Sequence, residues 1–329
     1  DRTVTGVGFS PGFVWSKAFT TTYNHFMVDT VRGVNAYVNS NRNNAESSDT
    51  DILKSFDADG YTLGNSGNMN ESGHSHAAWN WKSGGSGSAN NDGDNNATVS
   101  VVTEAKFSIV AYTGTGGEPK TVAHGLGVSP EFIMIKRRND TNGWVVWTKD
   151  LDDNYAFEGL HNTTAAVSRG SPISKYVDAV SSTLVTLGDA SENNHDNGTY
   201  VMYCFASKAG YSKVGTYVGN GAANGPFVYT GFRPAWVMVK SSSMTNSETN
   251  WVIWDNKRNG YNDNIQLFAN DDMAEGRRDD DGGAGVSEID FLATGFKHRD
   301  ATWAQNGSDG ATFVYLAFAE TPFKYSNAR

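Results

Sequence analysis

Glu288 and Asp290 stand two residues apart in a stretch of strand-forming residues, a spacing that puts both carboxylates on one face of a strand. Glycan hydrolysis uses paired carboxylates along a groove, and in sandwich scaffolds the pattern is Glu-x-Asp-x-x-Glu. Here the string runs Glu288-Ile289-Asp290-Phe291-Leu292-Ala293, so the last carboxylate is missing. The plainer reading makes the two acids solvent-facing residues at the start of a strand. His74 and His76 share the same spacing and could form half of a metal site, but no third ligand accompanies them. Acidic turns at Asp57-Ala58-Asp59-Gly60 and Asp279-Asp280-Asp281-Gly282 offer oxygen ligands that suit Ca2+. Asp57, Asp59, Asp279 and Asp281 are therefore the candidate calcium ligands, and ordinary Asp/Gly turn chemistry is the competing account. Aromatic rings that stack on sugars are the remaining chemistry. Trp147, Trp254 and Trp303 are the candidates, on the reading that Asp29, Trp147 and Trp254 share one repeat position that tolerates both Asp and Trp and so lies near solvent. Packing between modules or subunits competes with ligand stacking at these tryptophans. Cys204, the sole cysteine, aligns with Asn80 and Ala317 and reads as a small buried residue.

Motifs of other chemistries are absent. The chain has no phosphate-binding P-loop and no His-Glu-x-x-His, and its one Gly-x-Ser-x-Gly string, Gly8-Phe9-Ser10-Pro11-Gly12, opens a repeated strand and not a strand-to-helix elbow. A formal charge of −10 without a basic stripe argues against nucleic acid as a partner. One cysteine excludes an intrachain disulfide framework. No apolar run reaches transmembrane length and no signal peptide is visible, so membrane insertion is not expected.

The elements that must position these residues come from a repeat. Three strings align without gaps: Gly8-Phe9-Ser10-Pro11-Gly12-Phe13-Val14-Trp15-Ser16-Lys17, Gly127-Val128-Ser129-Pro130-Glu131-Phe132-Ile133-Met134-Ile135-Lys136, and Gly231-Phe232-Arg233-Pro234-Ala235-Trp236-Val237-Met238-Val239-Lys240. Pro11, Pro130 and Pro234 fix φ and lack a donor, which suits the mouth of a strand. The residues that follow read as a buried strand, and Lys17, Lys136 and Lys240 as its return to solvent. A second strand follows each string, with Phe26, Trp144 and Trp251 read as its equivalent core aromatics. Third and fourth elements follow in the same order, the fourth carrying Trp79/Trp81, Tyr203/Phe205 and Leu316/Phe318 on one face. A leading strand ending in Tyr112-Thr113-Gly114 or Tyr217-Val218-Gly219 precedes the second and third strings; the first has no copy. The chain, starting at Asp1, reads as processed or as part of something longer. The open edge of its first module calls for a cover: upstream polypeptide, a neighbouring subunit, or the tail Phe323–Arg329.

With 36 glycines, low mean hydropathy and Asn/Asp/Ser-rich turns between apolar runs, the expected fold is all-β. We read it as three tandem, homologous, antiparallel, jelly-roll-like β-sandwich modules at 1–85, 107–210 and 211–329, with 86–106 a Gly/Ser/Asn-rich linker or loop.

The strings, together with Tyr112-Thr113-Gly114-Thr115-Gly116, Asp59-Gly60-Tyr61-Thr62-Leu63-Gly64 and Ala78-Trp79-Asn80-Trp81-Lys82, resemble a module repeated in tandem in predicted virion proteins of marine tailed bacteriophages. That resemblance covers nearly the whole chain. It implies a non-enzymatic virion structural protein, a tail-fibre adhesin or capsid-surface decoration component, at the virion surface or otherwise extracellular. The implied partners are other virion proteins or copies of itself, a trimer being favoured, and host-surface glycans. A carbohydrate-active depolymerase and a bacterial surface or matrix adhesion protein are the alternatives.

Overall fold

The structure, a computed structural model, describes residues 1–117, 119–151, 157–158, 176–244, 250–258, 265–276, 288–301, 305–307 and 310–320. It is all-β and antiparallel. Strand-forming runs alternate with glycine turns, and the one short helix described is a single turn.

The first segment contains β1 (Arg2–Thr5), β2 (Pro11–Ala18), β3 (His25–Asp29), β4 (Ala36–Tyr37), β5 (Ser47–Ser48), β6 (Leu53–Asp57), β7 (Gly60–Leu63), α1 (Gly67–Asn70) and β8 (His76–Lys82). Its sheets are β1-β7-β6 and β3-β2-β8, with β4 and β5 as a small ribbon. Val14 and Val28 from one sheet meet Tyr61, Leu63 and Leu53 from the other, the core of a sandwich. Gly60 makes the close approach of β1 to β7 achievable. Its φ is +151°, and a Cβ there would lie 2.0 Å from the Val4 carbonyl oxygen.

The second segment adds β9 (Ser88–Asn90), β10 (Ala97–Val102), β11 (Phe107–Thr113), β12 (Lys120–Ala123), β13 (Phe132–Arg137), β14 (Trp144–Thr148), β15 (Phe157–Glu158), β16 (Val177–Val180), β17 (Leu184–Leu187) and β18 (Thr199–Phe205). They form β15-β14-β13-β18-β11-β10-β9 over β12-β17-β16. The expected linker at 86–106 is therefore a correction: β9 and β10 continue the large sheet. Ala97 to Val102 is rich in β-branched residues and pairs in full with β11, which outweighs the polar composition around it.

The third segment adds β19 (Ser212–Val218), β20 (Phe227–Tyr229), β21 (Pro234–Ser241), β22 (Val252–Asp255), β23 (Leu267–Phe268), β24 (Ile289–Leu292), β25 (Gly295–His298) and β26 (Thr312–Ala319). They form β19-β26-β21-β22-β23 over β20-β25-β24. The same pairing order thus occurs three times. Registers agree as well: Trp15 faces Trp79, Met134 faces Tyr203 and Met238 faces Leu316. Contacts nevertheless divide the chain into two compact units, not three: over the described residues, 1–206 and 207–320.

Each proline of the repeated strings is buried at the mouth of its strand, and the register shifts just after Pro11 and Pro234, as a bulge requires. The lysines depart from expectation. Lys17, Lys136 and Lys240 are fully buried instead of returning to solvent. Lys17 lies on the face of β2 that carries Phe13 and Trp15, and its Nζ donates to the Thr21 carbonyl at 3.2 Å. Lys136 Nζ donates to the carbonyls of Arg137 (2.7 Å) and Asn43 (3.3 Å). Backbone oxygens thus replace water around these ammonium groups. Burial pushes Lys136 down to about 8 and Lys240 down to about 7.

Within the first unit, the face of β3-β2-β8 opposite its own core packs on the matching face of the second segment. Phe13 stacks on Tyr203 at 4.5 Å and on Phe107 at 6.1 Å, and Trp81 meets Phe205 edge-on at 6.4 Å.

Candidate functional site

Charged side chains in the first unit converge on Arg32, which is wholly buried. Asp29 ends β3; its Oδ1 accepts the backbone N–H groups of Val31 and Arg32. Arg32 Nε donates to Asp29 Oδ2 at 2.6 Å and Nη1 to Glu46 Oε2 at 3.1 Å. Arg138 grips Glu46 with two bonds of 2.8 Å, and the Tyr203 hydroxyl donates to Asp29 Oδ2 at 2.8 Å. Burial alone would raise the Glu46 carboxyl, but the Arg138 bonds and both guanidiniums hold it below its usual range. The second unit repeats the clip, with Arg258 Nε on Asp255 Oδ2 at 2.6 Å and Nη1 on Glu275 Oε2 at 2.9 Å. These carboxylates serve as ties between loops and strands.

The candidate catalytic pair is tied up in the same way. Glu288 is buried, not solvent-facing, and its Oε2 accepts the Trp254 indole N–H at 3.1 Å. Asp290 is ion-paired with Arg299. Among the calcium candidates, Asp57 accepts from Ser55 and Thr62 of its own hairpin, and Asp59 from the backbone N–H groups of Gly6 (3.0 Å) and Gly8 (2.6 Å). Asp279 and Asp281 lie outside the described residues. Among the described residues no group of three or more His, Cys, Asp or Glu side chains is placed to hold a metal ion. Cys204 is buried in the core of the second segment, where burial raises its thiol.

The tryptophan candidates rest on an alignment that the pairing corrects by one residue. Phe13 faces Asp29, Phe132 faces Thr148 and Trp236 faces Asp255. The equivalent positions are therefore Val28, Trp147 and Trp254, and all three point into their sandwiches. Phe26 is equivalent to Val145 and Val252, not to Trp144 and Trp251. A one-residue slip exchanges the two faces of a strand, so a position taken as near solvent is core. Trp254 is wholly buried and offers no free ring face; Trp147 is half-buried against the core of its segment. Trp303 lies outside the described residues.

Exposed aromatics occur elsewhere, on β20. Phe227 and Tyr229 are 47% and 66% exposed, while Val228 between them is buried. Alternation puts both rings on the outer face of β20-β25-β24. Register places Lys297 and Asp290 beside Phe227, and Gly295 beside Tyr229. Gly295 lets β20 approach β25 closely, as Gly60 does for β1: a Cβ there would lie 2.0 Å from the Val228 carbonyl oxygen and 3.0 Å from Phe227 Cζ. The same edge position carries Thr3 and Thr5 in β1, and Thr121 and Ala123 in β12. The scaffold therefore needs only the inward Val4, Val122 or Val228, and the two aromatics are additions to it. Their signal in the sequence is the alternation Phe227-Val228-Tyr229 where the other two repeats carry small residues.

The fold and this surface define an all-β protein of antiparallel sheets packed as sandwiches, which among the described residues carries an outward aromatic pair on a mixed-charge sheet face. Residues 1–322 match DUF7483, a domain of unknown function, and the chain belongs to that family. No curated protein and no solved structure matches it.

Proposed function

We propose that this is a non-enzymatic structural and adhesive protein that holds glycans on the outer face of β20-β25-β24. The observation that carries the reading is the exposed pair Phe227 and Tyr229 at an edge where the fold requires neither. Aromatic faces accept the C–H surface of a sugar ring, and Lys297, Asp290 and Arg299 supply hydrogen bonds around them. The consumed carboxylates Glu288 and Asp290 support the non-enzymatic part.

A virion-surface setting, as a tail-fibre or capsid-decoration component, follows from the resemblance of the repeated strings to phage modules; immunogold labelling of virions tests it. Sedimentation of the purified chain tests the expected trimer, and a melting temperature that falls in EDTA would support bound calcium. For the glycan reading, affinity electrophoresis through polysaccharide gels should retard the protein, with no reducing sugar released on prolonged incubation. Steady release of reducing sugar would overturn the non-enzymatic reading.

A further inference from the structure

In two of the three segments a leading strand pairs with the last strand of the large sheet, on the side away from the repeated string. β11 pairs with β18 over seven residues, Phe107 opposite Phe205 through Thr113 opposite Thr199. β19 pairs with β26 over seven, Ser212 opposite Phe318 through Val218 opposite Thr312. In each, a tyrosine of the leading strand fills the sandwich. Tyr112 stacks on Tyr200 at 5.0 Å, its hydroxyl donating to the Asn193 carbonyl at 2.6 Å. Tyr217 stacks on Phe313 at 5.1 Å, its hydroxyl donating to the Gln305 carbonyl at 2.5 Å.

In the first segment, among the described residues, the sheet ends at β8. Beneath that edge lies a cavity of about 440 Å3 lined by Val4, Tyr61, Met69, His76, Ala78 and Asn80, among others. Register identifies what the cavity lacks. His76 stands where Tyr200 and Phe313 stand, Ala78 where Met202 and Tyr315 stand, and Asn80 where Cys204 and Ala317 stand. Asn80 Oδ1 has no hydrogen-bond partner, and the His76 ring meets only the Glu71 backbone. A buried polar atom left so is costly. Asn70 precedes His76 by six residues, as Asn194 precedes Tyr200, and each closes the same turn by donating its N–H four residues back. Asn194 Oδ1 accepts the Thr115 N–H just beyond the leading strand, at 3.3 Å.

We propose that the β8 edge and this cavity form an acceptor for a β-strand from another polypeptide chain. The strand it fits runs antiparallel to β8 and carries a tyrosine followed two residues later by glycine, as β11 and β19 do. Its tyrosine enters the cavity over His76, and its backbone continues the sheet. The proposal is independent of the glycan surface. The residue opposite Ala78 sets a size rule. In the second segment Val110 faces Met202, and in the third Gly215 faces Tyr315, where a Cβ would lie 2.9 Å from the tyrosine hydroxyl oxygen. A small Ala78 therefore admits a valine opposite it.

A fluorescent peptide with the sequence of residues 106–116 tests this on the full chain. Saturable binding is expected, with slowed amide exchange across His76–Lys82. Replacing the peptide tyrosine by Asp should weaken binding by about tenfold or more. Ala78→Tyr should do the same, and placing Gly at the peptide valine that corresponds to Val110 should restore it. Self-association through β8 that the peptide dissolves would show a second copy in the same acceptor and would support the proposal. Absence of binding, indifference to the tyrosine, or β8 amides already slow to exchange in the monomeric chain would overturn it.

Discussion

Arg32 shows how much of this protein depends on single buried side chains. It neutralises Asp29 and Glu46 with no exposure to water. Arg32→Met leaves the Asp29 carboxylate buried without its cation, and should cost on the order of 3–5 kcal/mol in urea unfolding. Asp29→Asn added to that variant should recover part of the loss, because the orphaned charge goes with it; further destabilisation by the double change would contradict this account. In the second unit His298 is a buried side chain of another kind. It is wholly buried between Tyr217 and Trp254, neither ring nitrogen has a hydrogen-bond partner, and burial pushes it down to about 3 from 6.5. Between those values the unfolded chain binds the extra proton, so stability falls as pH drops from about 6.5 towards 3. Hydrogen exchange at β25 should accelerate over that range, and His298→Phe should flatten the response. None of this was legible from residue types alone. The three lysines read as solvent-facing because lysine usually is, and only the pairing shows them in the sheet interior.

The strands themselves were legible, and their register was only partly so. Pro11, Pro130 and Pro234 announce the same strand three times, and β-branched and aromatic residues fill it. β3, β14 and β22 were placed correctly as elements but aligned one residue out of step. Short strands flanked by aromatics three residues apart, such as Trp144 and Trp147 or Trp251 and Trp254, put one ring on each face and give two alignments of nearly equal quality. Only the partner strand decides, by pairing Phe132 with Thr148 and Trp236 with Asp255. The β9–β10 hairpin was hidden for another reason: its polar turns resemble a linker, and its partner β11 supplies the hydrogen bonds that make it a sheet. At this scale Gly60 carries a sharp expectation. Gly60→Val puts a branched side chain against the Val4 carbonyl, so β1 should detach from β7. Amide exchange at Thr3–Thr5 should rise, with a stability loss of more than about 1 kcal/mol; unchanged protection of β1 would contradict the close approach.

For the whole molecule, the sequence repeat predicts three tandem homologous modules, whereas the contacts resolve two compact units. The difference is physical. Outer faces carrying Phe13, Trp15, Trp79 and Trp81 are as apolar as the sandwich interiors, and sequence periodicity marks both faces of β2 and β8 alike. Such a face must itself be covered, and in the first unit the second segment covers Phe13 and Trp81. The candidate glycan surface carries no tryptophan, the residue type that marks sugar stacking most plainly in a sequence; its exposed rings are Phe227 and Tyr229. Phe227→Thr with Tyr229→Thr places at β20 the kind of residue that Thr3 and Thr5 occupy in β1, so the fold should tolerate it. The decisive measurement is glycan retention and melting temperature on this double variant beside the parent chain. The account predicts an unchanged melting temperature with retention abolished. Retention equal to that of the parent, at the same melting temperature, would contradict it.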